Sequence, residues 1–149
     1  MINYDPVGPV FISYRRSDGH ERAKMLDIFL RAGGLAPWRD LVDLPPGETA
    51  RRVAETFEKG LSSAVLIITE EISDSQFIRN NELPQLLEGK HSKENFQLLV
   101  LNTITTAGGA IDLDAPDRLL NQESAALKDL KQYGDAELRQ LYRDLLYAR

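Results

Sequence analysis

The run Val10-Phe11-Ile12-Ser13-Tyr14-Arg15-Arg16-Ser17-Asp18 passes from apolar and β-branched residues straight into a doubly basic, polar segment. That is the pattern of a buried strand that ends, turns and feeds a helix, with Asp18 and Glu21 spaced as a helix cap. Such a strand points Tyr14, Arg15 and Arg16 at whatever binds beyond its C-terminal end. Guanidinium pairs suit phosphate oxygens, although two arginines after a strand also make an ordinary solvated loop. Other chemistry is scarce. The chain has no cysteine, so thiolate nucleophiles, thiolate metal sites and disulfides are excluded together. His20 and His91 lack ligand spacing and read as surface residues. Ser13 reads as a strand residue whose hydroxyl faces the crevice, and no hydrolase elbow surrounds it.

The elements that must position these residues follow from periodicity. After the first strand, Glu21 to Ala32 carries a helical stripe of Met25, Leu26, Phe29 and Leu30 that stops at Gly33-Gly34. A short strand is expected over Leu35 to Arg39, then a turn-rich loop from Asp40 through Pro45-Pro46-Gly47. Ala50, Val53, Ala54, Phe57 and Leu61 form the cleanest amphipathic helix. Ala64 to Ile68 and Leu98 to Leu101 are continuously apolar, as parallel strands covered on both faces should be. Between them a helix is expected to begin near Asn80 and Asn81, with Pro84 in its first turn or at a kink. Beyond Leu101 come a Gly- and Asp-rich loop from Ala107 to Pro116, a weak helix over Leu119 to Leu130 and a firmer one carrying Leu138, Leu141, Tyr142 and Leu145. No fifth strand is obvious, and Met1 to Gly8 reads as a lead-in.

This alternation predicts one α/β domain over residues 1–149: a doubly wound, flavodoxin-like parallel sheet of four to five strands flanked by helices. With strand order 2-1-3-4, winding reverses between the first and third strands, and ligands bind beyond the strand ends at that crevice. The predicted site is therefore flanked by Tyr14 to His20 and by Thr69 to Glu82. The net charge of −5 argues against a nucleic-acid partner, and no apolar run is long enough to span a membrane. With no basic-then-apolar leader, a cytoplasmic location is expected.

Four features stand in order at family-like spacing: Phe11-Ile12-Ser13-Tyr14, the strand end Trp38-Arg39-Asp40, the Pro45-Pro46-Gly47 loop before an amphipathic helix, and Ser73 to Leu83. Together they resemble Toll/interleukin-1 receptor (TIR) domains over residues 9 to 101. The Pro-Pro-Gly stretch is similar to the family's BB loop, and Ser73 to Leu83 to its third-helix motif. There Phe77 replaces the more usual Trp and lies five residues before Glu82 where four are expected, Ile78 holding the expected slot. Either Phe77 serves from a locally distorted turn, or the pocket has no aromatic platform.

The resemblance, to the bacterial-type branch, implies cleavage of NAD⁺ at its nicotinamide–ribose bond, giving ADP-ribose or a cyclic isomer. NAD⁺ is then a substrate, and no metal or tightly bound cofactor is needed. Glu82 is the implied catalytic carboxylate, holding the ribose hydroxyls and stabilising an oxocarbenium-like ribose. Arg15 and Arg16 are placed for the pyrophosphate, and Phe77, Trp38 or Tyr14 for stacking on a base. Trp38 is more readily a core residue than a stacking platform, and Asp40 also fits a loop cap. With Ser13 and Gly47 these make up the substrate-binding set. The alternative within the family is a non-catalytic module that binds other TIR domains through the Leu41 to Gly47 loop. Self-association through Leu41, Val42 and Leu44, a fused or partner sensor domain and a role in defence are further implications. Two other families share the fold. A phospho-receiver would need an acidic cluster after its first strand and an aspartate ending its third, where Tyr14-Arg15-Arg16 and Thr69 stand. A nucleoside deoxyribosyltransferase shares the N-glycosidic chemistry and is separated by substrate tests.

Overall fold

A computed structural model describes residues 2–40, 46–122 and 126–147. The elements run β1 (Val10–Ser13), α1 (Arg16–Ala32), β2 (Pro37–Trp38), α2 (Pro46–Lys59), β3 (Ser63–Ile68), α3 (Leu83–Ser92), β4 (Gln97–Asn102), α4 (Ala115–Leu119), β5 (Gln132–Tyr133) and α5 (Leu138–Tyr147). They build a five-stranded, all-parallel sheet of order β2-β1-β3-β4-β5. The order is flavodoxin-like, and its reversal of winding falls between β1 and β3.

Strand side chains alternate between two cores. Phe11, Ala64, Leu66, Ile68, Leu98 and Val100 face Val53 and Phe57 of α2 and Leu83 and Leu86 of α3. Val10, Ile12, Val65, Ile67, Leu99 and Leu101 face Ala23, Leu26 and Leu30 of α1 and Leu141 and Leu145 of α5. Each fully buried side chain of this size contributes about 1.5–3 kcal/mol. Continuous apolar strands follow directly from two covered faces.

Several expectations change in the folded chain. β2 holds only Pro37 and Trp38, because Pro37 has no N–H for the ladder and sits on the sheet edge, opposite Val10. The α1 stripe rotates to Ala23, Leu26 and Leu30, leaving Met25 half exposed. A fifth strand does exist, two residues long, paired as Val100 to Gln132 and Leu101 to Tyr133. The lead-in is built into the core: Ile2 is fully buried, and Tyr4 bridges Leu61 in a parallel pairing. The weak helix expected over Leu119 to Leu130 is instead the short α4, followed by turns. The Leu41, Val42 and Leu44 contact surface lies outside the described residues. Among the described residues, no helix is long and apolar enough to cross a membrane.

The start of the third helix differs most. The helical run begins at Gln76, four residues before the expected Asn80. Ser75 supplies its cap, with Oγ accepting the Ile78 N–H at 3.2 Å. The run then makes a π-helical turn over Ile78–Glu82, closed by the Leu83 N–H donating to the Ile78 carbonyl, before α3 proper. The cause is Pro84. Its ring clashes with the carbonyl four residues back and it has no N–H to donate there, so the turn ahead of it widens.

Candidate functional site

Beyond the C-terminal ends of β1 and β2 lies a cavity of about 360 Å³. The β1–α1 corner contributes Tyr14, Arg15, Arg16 and Ser17; the β2 end contributes Trp38 and Asp40; α2 contributes Thr49 from its first turn. The approach to α3 contributes Ser75, Phe77, Ile78 and Glu82. The crevice inferred from the winding reversal is thus where these groups converge, from segments nearly seventy residues apart.

Glu82 is the buried carboxyl of the site, only 8% exposed. Ser13 Oγ donates to its Oε1 at 2.6 Å. Burial pushes the Glu82 carboxyl up, the Ser13 hydrogen bond pulls it partly back, and the charge of Asp40 adds to the rise. The balance leaves it at about 7. A carboxyl poised near neutrality in a cleft is characteristic of functional sites.

The two arginines are not equivalent. Arg16 Nη2 donates to the Asp40 carbonyl at 2.9 Å, and the Tyr14 hydroxyl reaches the same carbonyl at 3.3 Å. Arg16 and Tyr14 therefore help hold the exit of β2. Arg15 Nε donates to Ser17 Oγ at 3.3 Å, a weak neutral partner that phosphate oxygens would readily replace. Trp38 packs into the core by stacking on Phe11, with centroids 5.2 Å apart and planes at 14°, and it also lines the cavity. Asp40 ion-pairs loosely with Arg52 at 3.9 Å.

Two of the predicted residues do not line the cavity. Ser13 lies behind Glu82, 1% exposed, with its hydroxyl directed at the carboxylate. Gly47, in the first turn of α2, looks into open space, and Thr49 reaches the cavity instead. Thr49 escaped sequence reasoning, while Ser17 and Ser75 fall within the predicted flanks Tyr14 to His20 and Thr69 to Glu82 without having been singled out. Proline-rich entry to α2 was the available signal for Thr49, since proline favours a helix start and places the next few residues in its first turn. Asp18 is also reassigned. Helix α1 begins at Arg16 without a side-chain cap. Asp18 accepts instead from the Thr69 hydroxyl at 2.6 Å and the Glu71 N–H at 2.9 Å, tying α1 to the segment after β3. Among the described residues, no group of three or more His, Asp or Glu is placed to hold a metal ion.

No family model matches the sequence, and no curated protein matches it. Among solved structures, the fold is similar to that of a metazoan TIR-STING receptor from C. gigas, determined in complex with 2′,3′-cGAMP. The TM-score is 0.62 at 19% sequence identity, over 99% of this chain and 42% of the receptor chain. The chain thus spans about two fifths of that receptor's length. At this identity the likeness is one of fold. The architecture is α/β and flavodoxin-like, a five-stranded parallel sheet flanked by helices that matches this neighbour in fold.

Proposed function

We propose that the chain is a TIR-type NAD⁺ glycohydrolase with Glu82 as its catalytic carboxylate. The observation that carries this reading is a buried carboxyl, held near neutrality, in a cavity that also offers an arginine and aromatic rings. NAD⁺ needs those three features: a counter-charge for the ribose, a cation for the pyrophosphate and flat surfaces for a base.

In the reaction the C1′–N bond of the nicotinamide riboside breaks, and its electron pair returns to the pyridinium nitrogen. The leaving group departs neutral. Positive charge passes to the ribose C1′ and ring oxygen, where the ionised Glu82 stabilises it. A water then bonds to C1′ and loses a proton to solvent, giving ADP-ribose; capture by a nitrogen of the adenine gives a cyclic isomer instead. Arg15 serves the pyrophosphate, and Trp38 and Phe77 bracket the flat groups. Self-association and a fused or partner sensor domain belong to the same proposal, with activity rising as copies assemble in a defence response.

Nicotinamide release from NAD⁺ by the concentrated 149-residue chain, beside Glu82→Ala and Glu82→Gln, tests the reading. Release that disappears in both folded variants supports it. Release that survives both moves the chemistry to another group, and silence of the unaltered chain under crowding leaves the non-catalytic interaction module as the better reading.

A further inference from the structure

We propose that Ser13 is the positioning residue of Glu82: its hydroxyl holds carboxylate Oε1 from behind, so that Oε2 alone is presented to the substrate. The inference deepens the hydrolase reading and rests on it for its kinetic part. Three observations carry it. Ser13 ends β1 and is 1% exposed, so its Cα is fixed by the ladder to β3. Its Oγ lies 2.6 Å from Oε1, and among the described residues no other hydrogen bond reaches the Glu82 carboxyl. Ser13 does not line the cavity that Glu82 lines, which leaves the hydroxyl unable to substitute for a substrate contact.

A strand-borne serine is a stiff support. Glu82 ends a π turn, where backbone hydrogen bonds are irregular and a long side chain has several rotamers. One short hydrogen bond to a rigid strand removes that freedom on the substrate's side. It also favours the anion, because a donor to a carboxylate stabilises the charged form. The other charged and titratable groups around the cavity do not duplicate it. Asp40, from the end of β2, opposes ionisation of Glu82. Arg16 is directed at the Asp40 carbonyl, as is Tyr14, and Arg15 at Ser17. Arg52, from α2, faces Asp40. The segment leading into α3 adds no charged residue to the cavity besides Glu82 itself.

The test is a ¹³C-carboxyl NMR titration of the 149-residue chain, as wild type, Ser13→Ala and Ser13→Thr, with Glu82→Gln identifying the resonance. Thermal melts confirm that each variant is folded. Loss of the hydroxyl is expected to raise the Glu82 midpoint by about one pH unit, the size set by one hydrogen bond to a charged group. Ser13→Thr keeps a hydroxyl at the same place on the strand and returns the midpoint to the wild-type value. In NAD⁺ turnover, kcat of Ser13→Ala falls about tenfold at pH 6, with KM changed less than twofold. An unmoved midpoint in Ser13→Ala, or one raised equally in Ser13→Thr, overturns the assignment. Because the titration needs no turnover, an inactive wild type removes the hydrolase reading while the NMR result still decides the role of Ser13.

Discussion

Phe77 and Glu82 stand five residues apart yet line one cavity, because a π turn lies between them. In an α-helix a five-residue separation puts two side chains roughly 140° apart around the axis. In a turn closed by a five-residue hydrogen bond, the same separation brings them nearly back into line. The extra residue is accommodated where Pro84 already prevents regular hydrogen bonding. Phe77 therefore lines the cavity despite the five-residue spacing, and Ile78 lines it too.

Deletion of the exposed Asn80 should convert the π turn to an α turn while keeping Phe77 and Glu82 on the same side. The variant is expected to melt lower than wild type, because the α turn brings the Pro84 ring onto the carbonyl four residues back, and, on the proposed reading, to retain NAD⁺ cleavage while folded. Calorimetry together with nicotinamide release checks this, and loss of folding would show that the wide turn is required by the packing around Pro84.

Cleavage should depend on pH through Glu82. Its carboxyl is held at about 7, and under the proposed reaction the ionised form is the one that stabilises the ribose cation. Turnover is therefore expected to rise as pH increases through about 7 and then level off, with a single ionisation on the acid side. A kcat profile flat from pH 5 to 9 would falsify the assignment of Glu82 as the charge-stabilising group.

The same carboxyl has a consequence for stability of the opposite sense. Glu82 is raised from 4.5 to about 7 on folding, so the folded state holds its proton more tightly than the unfolded chain. Its stabilising contribution is complete below pH 4.5 and is lost as pH rises through about 7. The difference between the two ends of that window converts to about 3 kcal/mol. Glu82→Gln, which cannot ionise, should be more stable than wild type at pH 8 by an amount of this order. The advantage should vanish near pH 4, as denaturant melts at the two pH values would show.

Asp27 in α1 accepts from Arg39 Nε at 2.8 Å and from Arg31 Nε at 2.6 Å, joining the helix to the strand end that carries Trp38. Burial pushes its carboxyl up, but hydrogen bonds from Arg39 and Arg31 outweigh that and hold it below its ordinary value. Arg39 is half-buried, and its Nη1 has no hydrogen-bond partner among the described residues. Asp27→Ala removes the carboxylate partner of that cation and should cost about 1–3 kcal/mol. Because carboxylates of this kind stabilise above their unfolded value and stop doing so as pH falls, the penalty should shrink in acid. Chemical denaturation of wild type and variant at pH 7 and pH 3 measures both.

Gly33 closes α1 against Tyr142 of α5. A β-carbon there would overlap the Tyr142 hydroxyl oxygen and come within 2.8 Å of its ring. Gly33→Ala should destabilise the chain by about 1–3 kcal/mol through overpacking. Tyr142→Phe removes the nearest atom, so adding it should recover part of the loss. A thermal melt of the single and double variants checks this.

Local pattern alone located much of the architecture. The runs Ala64 to Ile68 and Leu98 to Leu101 could only be strands covered on both faces, and the Val53 to Phe57 stripe could only be a helix lying on a sheet. Their alternation forced a doubly wound topology, and topology alone put the crevice beside Tyr14, Arg15, Arg16 and Glu82. What escaped depends on partners distant in sequence. Gln132–Tyr133 is too short to carry a strand period and becomes β5 only because the edge of β4 is open beside it. Asp18 reads as a cap locally, yet Thr69 and Glu71 claim its oxygens once β3 is adjacent. Ser13 and Glu82, 69 residues apart, form their hydrogen bond because two crossovers bring β1 and α3 to the same end of the sheet. Hydrophobic periodicity records which face of an element is buried. Which polar group meets which across that burial is decided by the packing of the whole chain.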